Sequence, residues 1–237
     1  MKTAIVTGGS KGIGLGIVRM LACRGYKVFA TYGHDDNAAH TAAAELGDKV
    51  EFVKADLADR SQTYAFVSHV KQASASIDCI VCNAGTTIRK SFTETTDSDW
   101  DTMMEVGLTA HLILLRELYQ IIKPGGHVLF TGSTMGLHPH ATVLGYGVVK
   151  AAVHAMVKNL VKVFEDKSVT VNAVAPGFVE TEWQKEKPQQ IRENICRKTA
   201  LHRFASIDEI VSAFAFCLDN SYVNGSVLEI TGGYSYR

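Results

Sequence analysis

Short apolar runs alternate with longer stretches at helical spacing along the whole chain. Residues 3–7 (Thr-Ala-Ile-Val-Thr), 27–32, 50–53, 77–82, 126–131, 169–174 and 227–230 are brief, apolar and rich in β-branched residues. Runs of that length predict buried strands. Between them, residues 15–24, 37–46, 61–73 and 145–166 repeat apolar positions every three or four residues, which predicts helices. Residues 97–122 hold a further long helix, with Gly107 as the place where it would break and Pro124-Gly125-Gly126 as its stop. Ser206-x-x-Glu209 is a capping box that opens a last helix through Leu218. Strands alternating with helices predict an α/β fold, a doubly wound parallel sheet of about seven strands with helices on both faces. Residues 178–199 are polar and weakly periodic, and read either as a mobile lid over a pocket or as plain surface helices. The pattern shows no repeat, linker or low-complexity segment, so a single domain over residues 1–237 is expected.

Composition narrows the function classes. An apolar fraction of 46% is enough for a sizeable core. Lys plus Arg equals Asp plus Glu at 24 each, so no global field draws in nucleic acid or an anionic membrane. No apolar run reaches the roughly eighteen residues of a membrane span. The amino terminus enters a strand pattern at once and lacks a signal-peptide layout. Five cysteines without regular spacing suggest reduced thiols and a cytoplasmic protein. Cys79 and Cys82 lie in one apolar run, where residues three apart face opposite ways. They are expected to be core thiols rather than a redox or zinc pair.

Two stretches carry candidate chemistry. Gly8-Gly9-Ser10-Lys11-Gly12-Ile13-Gly14 sits between the first strand and the first helix. Glycines there let the backbone turn sharply and let a pyrophosphate approach the helix amino terminus. The second strand ends at Tyr32, where an NAD site usually has an acid for the ribose 2′-hydroxyl. Asp35 and Asp36 come slightly late. Lys11 can pair with a 2′-phosphate, or be a solvated loop lysine. NADP(H) is therefore favoured over NAD(H). The second stretch is residues 133–150. Ser133 follows the fifth strand at its carboxyl end, where open α/β sheets bind ligands. Tyr146 and Lys150 are four apart and share a helix face. A phenol has a reference pKa near 10, and a close ammonium typically lowers it by ~1–3 units. The pair is a tunable proton donor, and Ser133 can hold a substrate oxygen. Taken alone, Tyr-x-x-x-Lys also fits surface packing.

The motifs occur in a telling order: Thr7-Gly8-x-x-x-Gly12-Ile13-Gly14, Asp56, Asn83-Ala84-Gly85, Ser133, Tyr146-x-x-x-Lys150 and Pro176-Gly177-x-x-x-Thr181. The chain resembles the short-chain dehydrogenase/reductases from end to end. Residues 171–181 and 225–233 carry a closer likeness to the 3-oxoacyl-[acyl-carrier-protein] reductase branch. The resemblance implies a Rossmann-like fold and hydride transfer between a nicotinamide and a carbonyl or secondary alcohol. It implies that Thr7, Gly8, Ser10, Gly12, Ile13 and Gly14 serve the pyrophosphate end of the cofactor. Asp56 and Leu57 would lie near the adenine, with Asn83, Ala84 and Gly85 along the adenosine half. Pro176, Gly177, Val179 and Thr181 would fix the carboxamide end. Ser133 would bind the substrate oxygen, Tyr146 would move its proton, and Lys150 would lower the tyrosine pKa and hold the nicotinamide ribose. No metal is implied. A homotetramer or dimer is, and apolar stripes on residues 108–118 and 148–163 fit an interface or the core equally.

Two departures stand against the family pattern. Gly107 occupies the place of a family asparagine whose backbone carbonyl helps hold a relay water; Glu105 and Thr109 are candidate substitutes. Lys123-Pro124 stands where the carrier-protein reductases have an arginine, which argues against docking of acyl carrier protein. His138 and His140 flank Pro139 and read as solvated loop residues, or as contacts to a polar substrate. The leading expectation is an NADPH-dependent reductase of a ketone such as a 3-oxoacyl thioester. A sugar or polyol dehydrogenase, and a non-catalytic NADP(H) sensor or scaffold, are the alternatives.

Overall fold

A computed structural model describes residues 1–138 and 143–234. Among these, strands β1 (Lys2–Val6), β2 (Tyr26–Tyr32), β3 (Val50–Lys54), β4 (Ile77–Cys82), β5 (Ile122–Thr131), β6 (Thr170–Pro176) and β7 (Val227–Ile230) form one parallel sheet. Their order is β3-β2-β1-β4-β5-β6-β7. In the register, Ile5 of β1 lies between Phe29 of β2 and Ile80 of β4. Helices α1 (Gly12–Cys23), α2 (Asp36–Leu46), α3 (Arg60–Ala73), α4 (Asp97–Met104), α5 (Ala110–Leu118), α6 (Leu144–Val163), α7 (Glu182–Lys185), α8 (Gln189–Lys198) and α9 (Ile207–Asp219) complete the described residues. The order reverses between β1 and β4, and the carboxyl ends of those strands diverge to leave a crevice.

Side-chain alternation explains why the strands are apolar throughout. Ile5, Ile80 and Phe130 pack on one face with Phe66, Leu114 and Val157. Ala4, Val6, Val81 and Leu129 pack on the other with Ile17, Leu21 and Phe214. Both faces are covered, so no polar alternation survives. Cys79 belongs to one layer and Cys82 to the other. Burial raises both thiols above the ordinary range, Cys79 to about 12, as inert core residues should be. The capping box at Ser206 and Glu209 is formed on both sides.

One segment differs from expectation. Pro124-Gly125-Gly126 does not stop the preceding helix; a 3-10 turn at Tyr119–Ile121 does. The Pro-Gly-Gly stretch lies inside β5, where the register against β4 shifts between Ile77 and Cys79. Proline has no N–H for a ladder and is tolerated at such an irregularity. Residues 178–199 form two helices, α7 and α8, with Ile195 buried beneath the second.

Gly107 is not a simple break. Glu105–Thr109 is one π-turn between α4 and α5, in which the Ala110 N–H reaches the Glu105 carbonyl. Such turns insert a residue into a helix and are frequent at functional sites. Gly107 is buried in it, and a Cβ there would stand 2.5 Å from Val149 Cγ1 on α6. Val149 is β-branched and has little rotamer freedom in a helix. Gly107→Ala should therefore lower stability by about 1–3 kcal/mol through overpacking, read from the urea midpoint. Adding Val149→Ala removes the collision, so the double variant should be more stable than the sum of the single effects. Strict additivity would show that position 107 relaxes on its own.

Candidate active site

The crevice is a cleft of about 620 Å³ that runs across the carboxyl ends of the strands. Every candidate catalytic or cofactor-binding residue lines it except Thr7. At its amino-terminal side, α1 starts with no side-chain cap and no acid in its first turn. Its first N–H groups are left for an anion from outside the chain. The backbone comes close there: a Cβ on Gly14 would meet the Gly8 carbonyl oxygen at 2.1 Å. These features fit the pyrophosphate of a dinucleotide.

Thr7 is buried beneath the loop instead of lining it. Its hydroxyl accepts from the Asn83 and Ala84 N–H groups, both at 2.9 Å. Asn83 Nδ2 donates to the carbonyls of Thr7 and Gly8, each at 3.0 Å. Thr131 Oγ1 donates to Asn83 Oδ1 at 2.9 Å, and the Thr131 carbonyl accepts from Lys150 Nζ at 2.5 Å. One hydrogen-bonded chain thus joins the glycine loop to Lys150.

Ser133 ends the loop after β5, and its Oγ accepts from the Met135 N–H at 3.2 Å. The Tyr146 hydroxyl stands near enough for Ser133 to act on its pKa. Lys150 Nζ lies 5.5 Å from the Tyr146 ring centroid. Burial pushes the Lys150 pKa down to about 8. The expected lowering of Tyr146 is not met: burial raises its pKa, and Ser133 opposes this only in part. Desolvation is the larger cause, so the phenol is protonated at neutral pH.

Two histidines behind this group escaped the sequence reading. His111 Nδ1 lies 3.2 Å from the Gly107 carbonyl and Nε2 3.0 Å from Thr7 Oγ1. Since Thr7 Oγ1 already accepts twice, its own proton goes to Nε2, which fixes the Nδ1–H tautomer. Glu105, a sequence candidate for the missing asparagine, is held by Arg60 at 2.8 Å. The Gly107 carbonyl is instead met by His111. His154 Nε2 accepts from the Ser133 N–H at 3.3 Å. Its Nδ1 faces the Gly136 carbonyl without reaching hydrogen-bond geometry. A histidine on an apolar helix face looks like core in a sequence, and both partners are distant in the chain.

The remaining candidates are placed as follows. Lys11 pairs with Asp35 at 2.6 Å, and Lys54 pairs with Asp36 at 2.8 Å. His138 Nε2 lies 3.3 Å from Glu229 Oε2. His140 lies outside the described residues. Among the described residues no group of three metal-ligating side chains gathers, and no helix is long and apolar enough to cross a membrane. Lys123 pairs with Asp78 at 3.1 Å.

Burial lowers His111 to about 3 and His154 to about 4, with the Lys150 charge adding to the effect. The unfolded chain binds these protons first, near pH 6.5. Stability should therefore be intact above about pH 6.5 and fall as pH drops towards 4. The slope is up to about 1.4 kcal/mol per pH unit for each histidine. Denaturant titrations of the parent and of His154→Val across pH 4–8 check this; the variant should show the shallower loss.

Comparison with known proteins agrees with this geometry. Relatives along the full chain include the 2-dehydro-3-deoxy-D-gluconate 5-dehydrogenase of Pseudoalteromonas atlantica, 32% identical over 100% of this chain and 96% of that protein. The 3-oxoacyl-[acyl-carrier-protein] reductase FabG of Salmonella typhimurium is 29% identical over 98% of this chain and 96% of its own. Among solved structures, a blue fluorescent protein from a metagenomic library, in complex with NADPH, superposes with a TM-score of 0.92 at 28% identity, covering 99% of this chain and 98% of that one. Residues 2–192 match the family model described as short chain dehydrogenase. The chain belongs to the short-chain dehydrogenase family and is an NAD(P)-dependent oxidoreductase of that type.

Proposed function

We propose that the protein is an NADPH-dependent carbonyl reductase that acts through Ser133, Tyr146 and Lys150. The observation that carries the reading is the gathering of Ser133, Tyr146 and the Lys150 ammonium on one wall of the cleft that the glycine loop borders. When bound, the nicotinamide supplies the hydride. Ser133 donates to the substrate carbonyl oxygen and polarises it. Tyr146 gives its proton to that oxygen as negative charge develops. Lys150, charged below about pH 8, stabilises the phenolate that remains. Burial keeps Tyr146 protonated, the state that reduction requires and oxidation does not. The Asn83 and Thr131 chain holds Lys150, and His154 holds the backbone of Ser133; both are positioning groups.

Charge at the end of β2 supports the choice of NADPH. Both late acids, Asp35 and Asp36, are engaged by lysines, and no acid occupies the Tyr32 position. Lys11, a cation lining the cleft, would serve a 2′-phosphate by exchanging Asp35 for it. The substrate we favour is a 3-oxoacyl thioester or a similar ketone. A sugar-acid or polyol dehydrogenase is the second reading, favoured by the gluconate-derivative relative and by the engagement of Lys123 with Asp78. A homotetramer or dimer also fits, since Leu112, Leu144 and Val148 stay exposed on α5 and α6.

Tyr146→Phe should reduce turnover about 100-fold or more while NADPH binding, followed by cofactor fluorescence, persists. Unchanged turnover would sink the assignment. The rate of reduction should fall as pH rises through about 8, as Lys150 loses its proton. Lys11→Met should cut the NADPH-over-NADH preference in kcat/KM by roughly tenfold, the loss of one charged hydrogen bond. A constant ratio would place the 2′-phosphate elsewhere.

A further inference from the structure

Besides Lys150, two cations in the cleft, Arg89 and Lys187, have no carboxylate partner among the described residues. Arg89 lies in the loop that follows Asn83-Ala84-Gly85 at the end of β4, and Lys187 lies between α7 and α8, beyond β6. Both line the cleft that contains Tyr146. Glu182 is paired with Lys185, Glu180 with Arg192 and Asp99 with Lys90, and Glu186, next to Lys187 in the chain, forms no ion pair with it. Among the described residues neither Arg89 nor Lys187 has a carboxylate within ion-pair distance. The segments that carry them follow β4 and β6, on the far side of β1 from the β2 end where Tyr32 and Lys11 sit. They therefore stand apart from the candidate 2′-phosphate position.

A second observation falls on the same wall. Four buried side-chain polar atoms lack a hydrogen-bond partner among the described residues, and two of them, Thr87 Oγ1 and Gln184 Oε1, belong to residues lining this cleft. Thr87 is two residues before Arg89, and Gln184 is three before Lys187. A buried polar atom without a partner is costly, and it is satisfied in a native structure by a water, an ion or a bound group. Whichever way the Gln184 amide is turned, one of its two polar atoms occupies that position. Trp183, half exposed beside them, gives the wall an apolar surface.

We propose that Arg89, Lys187, Thr87 and Gln184 form a subsite for an oxyanion carried by the substrate, which makes the substrate an anionic, hydrogen-bonding ketone or alcohol. This rests on the oxidoreductase reading of Ser133 and Tyr146. Guanidinium and ammonium meet carboxylate or phosphate through charge-assisted hydrogen bonds. The Thr87 hydroxyl adds a donor to the same group, and the Gln184 oxygen accepts from a neighbouring substrate hydroxyl or amide. Burial and the charges of Arg89 and Arg192 lower the pKa of Lys187, the response expected of a cation held among like charges. An incoming anion relieves that repulsion. The oxyanion has two sources: the carboxylate of a hydroxylated oxo acid, or the phosphate of a thioester carrier.

The test uses matched substrates that differ in charge, with the parent protein and an Arg89→Gln/Lys187→Gln double variant. For the carboxylate, 5-keto-D-gluconate is set beside L-sorbose; for the carrier phosphate, acetoacetyl-CoA beside acetoacetyl-N-acetylcysteamine. The parent should prefer the charged member of one pair by tenfold or more in kcat/KM, and that pair identifies the source. The double variant should lower this discrimination ratio at least tenfold, and added salt should lower it in the parent alone. A ratio that the variant does not change overturns the subsite, whatever the absolute rates. Thermal shifts with D-gluconate and with CoA, in the absence of any ketone, separate this result from the fate of the reductase reading. A stabilisation that the double variant loses, in a protein that turns over no ketone, would leave the subsite standing and remove the reductase. Turnover of neutral ketones, with no anion-dependent shift and no change in ratio, would do the opposite.

Discussion

Polar groups at the carboxyl ends of parallel strands are buried and still need partners, and this constraint shapes the cleft. Thr7, Asn83 and Thr131 end β1, β4 and β5 or follow them directly, and each spends its side chain on a neighbour's backbone or side chain. The sheet cannot satisfy these groups, because its ladder stops there. The hydroxyl of Thr7 carries three of the contacts, two as acceptor and one as donor. Removing it would strand two N–H groups and one imidazole nitrogen in a low-dielectric interior. The glycine loop, the strand switch and the lysine are rigid relative to one another because these bonds leave no slack.

That rigidity bears on electrostatics. Lys150 is buried, so its charge is costly and its proton is held less tightly. The same burial raises Tyr146. The intuitive picture of an ammonium pulling down a phenol fails here because both groups lose water together. A cofactor and substrate would change the surroundings of both. What the protein supplies beforehand is a protonated acid and a conditionally charged neighbour, aligned by the α6 turn.

Much of this was legible in the sequence. Strand count, order of elements, the glycine loop and the Ser133, Tyr146 and Lys150 set follow from local patterns, since each depends on residues within a turn or a strand of one another. The capping box at Ser206 is legible for the same reason. What stayed hidden depends on distance. His111 meets Thr7 across a separation of 104 residues, and His154 reaches Ser133 across a separation of 21. Lys11 reads as a free loop cation until the fold brings Asp35 to it. Pro124 reads as a stop because a bulge has no signature in a single strand. Gly107 reads as a lost asparagine because the sequence does not show Val149 above it.

The contact between Gly107 and Val149 couples two positions on different helices. Val149 Cγ1 lies 2.5 Å from where a Cβ at 107 would stand, so any side chain at 107, asparagine included, meets that methyl first. Placing an asparagine in this chain therefore takes two changes, a shrinkage at 149 as well as the substitution at 107.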